Sequence, residues 1–239
     1  MNRRLVYSPI SLLFAILLAA LLIFVVSALF VGVLRTAFTR IGFSWDDALL
    51  LLLACLFGAG INLPLATLES PIPVVRDRYV RAFGVTYRIP VEEIVTNRTT
   101  LAINVGGAVI PTLVSLYLLW SFPAAFSYVV LATALVAAVT HAVARPVRGV
   151  GIVTPALLPP VAAALAAWTL VSIVGSAYQA PHEFVFVTAY AGGTLGTLIG
   201  ADLLNLEAIK RMGAPVASIG GAGTFDGVFL TGIIAVLLV

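Results

Sequence analysis

From Ile10 to Leu34 the chain carries no charged side chain, a run longer than the roughly 20 apolar residues that take an α-helix across a bilayer. Lipid offers the backbone no hydrogen-bond partner, so only helices or a closed barrel can cross it. Barrel strands are about ten residues long and alternate in polarity, whereas the apolar runs here are longer and do not alternate. The expected fold is therefore all-α: a polytopic transmembrane helical bundle forming one domain over residues 1–239. With 62% hydrophobic and 10% charged residues and a mean hydropathy of +1.14, the chain has too few charges to cover a soluble surface.

Runs of spanning length fall at 10–34, 47–68, 99–119, 122–142, 152–175, 184–206 and 217–239, which predicts seven spans. The first follows Arg3 and Arg4 like a signal sequence, but it exceeds the usual apolar core of one and reads as an uncleaved span. With the N-terminus cytoplasmic and the C-terminus outside, the inner segments hold Arg3, Arg4, Arg76, Arg78, Arg81, Arg88, Arg98, Arg145, Arg148, Lys210 and Arg211, and the outer ones only Arg35 and Arg40. That asymmetry follows the positive-inside rule, and it assigns the basic residues to orientation in a multi-pass protein of the cell membrane, with no role in binding nucleic acid. The cytoplasmic loop 69–98 mixes β-branched, aromatic and arginine residues around Gly84. It suits either a short hairpin or a basic surface resting on anionic headgroups.

Helix breakers and polar residues gather at the cytoplasmic ends. Asn62 and Pro64 close the second span, Asn104, Gly106 and Gly107 open the third, and Pro155, Pro159 and Pro160 open the fifth. Gly200, Asp202 and Asn205 close the sixth, and Gly220, Gly221 and Gly223 open the seventh. Interrupted backbone at membrane depth survives only where protein or a wet cavity covers it. A cytoplasm-facing cavity built around these residues is the expectation. Glycines also allow close helix packing, which suffices for Gly192, Gly193 and Gly196.

Of the ten acidic residues, Asp202 and Asp226 fall within spans, where an ionisable group is costly and normally marks function. The sixth and seventh spans are consecutive and joined on the inner side at Lys210 and Arg211, so the two carboxylates lie near one end of adjacent helices. Two such groups sharing a proton can activate a water and protonate a leaving amine. The helix ends divide the roles, Asp202 as acid and Asp226 as base. Cys55 is alone, and His141 and His182 fall on opposite sides, so neither a metal nor another cofactor is expected.

The runs Gly200-Ala201-Asp202-Leu203-Leu204-Asn205-Leu206 and Ser218-Ile219-Gly220-Gly221-Ala222-Gly223-Thr224-Phe225-Asp226-Gly227, with Asn104-Val105-Gly106-Gly107, resemble a prokaryotic family of multi-spanning membrane proteins catalogued as a domain of unknown function. The spacing of the two aspartates on consecutive spans also resembles that of presenilin-like intramembrane aspartyl proteases. That resemblance implies catalysis by Asp202 and Asp226, although Ala201 stands where those enzymes have Tyr, Thr224 and Phe225 separate Gly223 from Asp226, and Pro155-Ala156-Leu157 precedes the aspartates. Three functions fit. One is an intramembrane aspartyl protease or related hydrolase acting on a membrane-embedded peptide. Another is a proton- or cation-coupled carrier of a small solute, and the third is a membrane scaffold or assembly partner. The aspartates' place near the inner surface, away from the midplane sites of transporters, favours the hydrolase. The bilayer is the one certain partner, and the sequence leaves the oligomeric state open.

Overall fold

The computed structural model describes residues 12–147, 151–211, 214–221 and 227–239. Helix α1 (Leu12–Arg40) and helix α2 (Trp45–Gly58) lead into a long hairpin, strands β1 (Asn62–Ala82) and β2 (Val85–Asn104). A π-helical turn, Val105–Val109, then opens α3 (Ile110–Ser121), followed by α4 (Phe126–Val143). The short strands β3 (Arg145–Val147) and β4 (Gly151–Val153) precede α5 (Leu158–Trp168) and α6 (Glu183–Thr197). A π turn at Leu198–Asp202 prolongs α6, and α7 (Leu206–Arg211), β5 (Val216–Ile219) and α8 (Gly227–Leu238) complete the chain.

Among the described residues, four helical stretches are long and apolar enough to cross a membrane: Phe14–Arg40, Pro123–Val143, Leu158–Tyr178 and Glu183–Lys210. Val105–Ser121 and Gly227–Leu238 are apolar but shorter. The all-α expectation is corrected by the hairpin, whose antiparallel pairing runs from Asn62↔Asn104 out to Ala82↔Val85. Residues 62–68, 99–104 and 217–219, expected as the ends of three spans, are strand instead. Their apolar side chains mimic a continuing helix, but at the root of the hairpin they pack a small sheet in which β5 lies parallel to β2, Thr100↔Val216 to Ile103↔Ile219.

Helix α6 is the axis of the bundle, with 83% of its most apolar window buried. Its small residues explain this, because glycine lets backbones approach where lipid supplies no hydrophobic drive. Gly192, Gly196 and Gly200 recur every fourth residue and so share one face, which lies on Ala132, Val136 and Ala137 of α4. Gly193 meets Ala163 of α5 and Thr231 of α8. On α8, Gly232 makes room for Thr194 and Tyr190.

The two ends of the bundle differ in chemistry. Away from the hairpin the corners are aromatic: Phe43 lies on Tyr117 with ring centroids 5.4 Å apart, and Phe122 on Phe184 at 6.3 Å. Both arginines there bond to backbone and stack. Arg35 lies 3.4 Å from the Trp45 ring centroid and donates to the Trp45 carbonyl at 2.8 Å, while Arg40 donates to the Val236 carbonyl at 3.0 Å. Helix α1 joins the bundle only through its last turns, with Leu34, Ala37 and Phe38 buried. None of its most apolar window is covered.

Gly196→Leu is expected to lower stability by about 1–3 kcal/mol, the usual range for overpacking a tight core, because a Cβ at Gly196 already lies 2.6 Å from the Val136 Cβ. A lowered melting midpoint of the detergent-solubilised protein checks it.

Candidate functional site: a polar and glycine junction at the hairpin root

The sequence-expected residues Asn104, Gly106, Gly107, Gly220 and Asp202 come together where the hairpin leaves the bundle. Asn104 is the centre. It is fully buried, and its side chain caps the π turn that follows by accepting from the Gly107 N–H at 2.7 Å. The same side chain donates through Nδ2 to the Ala59 carbonyl at 2.7 Å and to Asn62 Oδ1 at 3.1 Å. One amide thus ties the end of α2, the start of β1 and the start of α3. Ser218 of β5 donates to the same Asn62 oxygen at 2.5 Å, which extends the network to the last strand.

Glycines let these backbones meet. A Cβ on Gly106 would run into the Cys55 carbonyl and the Ala59 nitrogen, and one on Gly107 would run into the Gly220 carbonyl. Gly220 has a φ of +78° and Gly221 one of +88°, a region in which a side chain is strained. A Cβ on Gly220 would also strike Ala108. These two glycines turn the chain out of β5 directly against the π turn.

Asp202 reaches this turn from the other side. It lies in the π turn that ends α6, only 9% exposed, and its Oδ2 accepts from the Gly220 N–H at 2.8 Å. Asn205, three residues on, donates to the carbonyls of Gly200 and Ala201, each at 2.9 Å. It therefore serves the carbonyls that the broken helix leaves unpaired, and its Nδ2 lies 3.3 Å from His141 Nδ1. Below the junction, Leu101, Ala108, Leu198, Ile219 and Val228 form a separate apolar cluster.

Other expected residues stand elsewhere. Pro155 is exposed in the lead-in to α5, where its carbonyl accepts from Leu158. Asp226 and Gly223 lie outside the described residues, so their expected roles have no geometry here. Cavities of about 350, 440 and 450 Å³ lie along helix flanks at Leu135 and Leu170, at Phe43 and Tyr117, and at Trp168 and Val239; Asp202 lines none of these three. Sequence reasoning undervalued Ser218 and Gly58. Ser218 was visible only as part of a motif, and Gly58, 3.0 Å from Gly106 N by its ideal Cβ, only as one more small residue in an apolar run.

What the junction does chemically is fix backbone. Amide side chains and a buried carboxylate satisfy backbone groups at helix ends and at the glycine turn. The family described as "Protein of unknown function (DUF1614)" matches residues 56–238, which include every residue of this junction. No curated protein matches the chain, and no solved structure does.

Asn104→Ala removes both donors and the acceptor at once and strands the Gly107 N–H. A loss of about 3 kcal/mol is expected, in line with leaving buried polar groups unpaired, and chemical denaturation in mixed micelles measures it. Gly220→Ala is expected to destabilise independently, through its positive φ and Ala108.

Proposed function

The chain belongs to this family of unknown function, DUF1614, which supplies no activity, and we propose from its geometry that it is a membrane scaffold: a seven-pass protein of the cell membrane, N-terminus inside, that holds a rigid β-ribbon at the cytoplasmic surface. The observation that carries this reading is the Asn104 node. A two-stranded hairpin alone is marginal in water, yet here each strand is about 20 residues long and its root is fastened by hydrogen bonds to the end of α2, the π turn before α3 and β5. Such a root gives the ribbon a fixed starting direction. The seven passes count α2, α3 and α8 as short spans beside the four long ones, and the inner placing of the ribbon follows from its arginines.

A second reading has its own support. Asp202 is a buried carboxylate bonded to the glycine turn that leads, six residues later, to Asp226. A pair of acids at this end would suit a hydrolase acting on membrane-embedded peptides, or a carrier coupled to a proton or cation.

The scaffold reading predicts slow amide exchange along β1 and β2 in the intact protein, accelerated at least tenfold in the Asn104→Ala variant, on the order of the 1.4 kcal/mol that a decade represents. Ribbon amides that exchange as fast as unstructured chain in the wild type would overturn it. Asp226→Asn separates the readings: it leaves ribbon exchange unchanged if the chain is a scaffold, abolishes peptide cleavage if the pair is hydrolytic, and uncouples flux from pH if the chain is a carrier.

A further inference from the structure

The ribbon keeps an exposed apolar face whose surroundings say what covers it. The two-residue turn Phe83-Gly84 has positive φ at both positions, 53° and 80°, as a type I′ hairpin turn requires. The Ala82↔Val85 pair that closes it is hydrogen-bonded, and ladder pairs alternate from there. Pro71, Pro73 and Pro90 all fall an odd number of steps away, in the pairs Pro71↔Thr96, Pro73↔Ile94 and Asp77↔Pro90. They occupy the positions whose N–H would point outward, so both edges are blunted against strand addition. A partner therefore meets a face.

Cross-strand pairs share a face, and Val80↔Tyr87, Arg78↔Ile89 and Arg76↔Val91 set one of them. Val80, Val85, Tyr87, Ile89 and Val91 are all exposed, and Phe83 at the tip is entirely so. Charge is distributed unevenly along the ribbon: residues 78–89 at the tip hold Arg78, Arg81 and Arg88 and no acid, while nearer the root Arg76 pairs with Glu93 at 3.4 Å and Asp77 reaches back to Arg88. Aliphatic and aromatic side chains among arginines suit the boundary between headgroups and acyl chains. Two ribbons rising from one membrane would bring their basic tips side by side, which disfavours a second copy. The register shift between Pro64 and Ala66 bends the strand near its root, as bulges do. The root itself is held at the membrane, so the adjacent leaflet is present at high effective concentration.

We propose that the outer end of the ribbon lies on the anionic leaflet of its own membrane, with Val80, Val85, Tyr87, Ile89 and the tip Phe83 among the headgroups and Arg78 on lipid phosphate. This rests on the scaffold reading for an ordered ribbon. The test uses the full chain with Cys55→Ala, spin-labelled at Ile89→Cys or, on the opposite face, at Thr86→Cys, in nanodiscs of phosphatidylcholine with or without phosphatidylglycerol. The Ile89 label is expected to gain oxygen accessibility and lose access to an aqueous relaxant only in the anionic discs, with the Thr86 label remaining in water. Arg78→Gln is expected to weaken that docking equilibrium ~5-fold, the effect of one basic residue at an anionic surface. An Ile89 label that stays in water in anionic discs overturns the lipid contact, as does equal burial in phosphatidylcholine alone or burial that appears only with an added acidic protein. A label immobile in water leaves the scaffold reading standing; one as mobile as free chain removes both.

Discussion

The hairpin end of this protein depends on one buried amide. Asn104 answers three backbone and side-chain groups from three elements at once, and it is fully buried, where an unanswered N–H or C=O has no solvent to fall back on. Two helices end or begin within a few residues of it, and a helix terminus always leaves backbone groups unpaired. By joining α2 to α3 across the hairpin root, the amide makes it feasible for the chain to leave helical structure, run out as a ribbon and return. The glycines at 58, 106, 107 and 220 follow from the same requirement, since the bonds close only if the backbones touch.

Much of the helical frame was legible. The predicted spans 122–142 and 184–206 lie within the apolar helical stretches Pro123–Val143 and Glu183–Lys210 to within a residue, because length and apolarity alone decide such segments. The spans beside the hairpin were read too long. Leu63, Leu65 and Leu68, like Leu101 and Ile103, continue the apolar character of the neighbouring helices, and hydropathy does not distinguish an apolar strand end from a helix turn. Pro64 and the threonines 96, 99 and 100 were the local signs of strand. They count for little in a chain so apolar.

The candidate site was legible in its members and not in its bonds. Burial of Asp202 followed from its place in an apolar run, and it is buried. Its observed donor is the backbone of Gly220, and backbone donors leave no trace in a reading that compares side chains. The same holds for Asn104, whose polarity in an apolar context marked it, while its partners at Ala59 and Gly107 became visible only with the fold. Asp226, the other half of the expected pair, lies outside the described residues.

Helix α1 stands apart from all of this. Its 29 residues make a rod about 43 Å long at 1.5 Å per residue, longer than the roughly 30 Å hydrocarbon layer, and only its final turns are fixed to the bundle. A rod attached at one end and longer than the layer it crosses relieves the mismatch by leaning. The lean disturbs no packed neighbour, so a thicker or thinner bilayer is absorbed as a change of angle in this one helix, while the glycine-packed bundle around α6 keeps its shape.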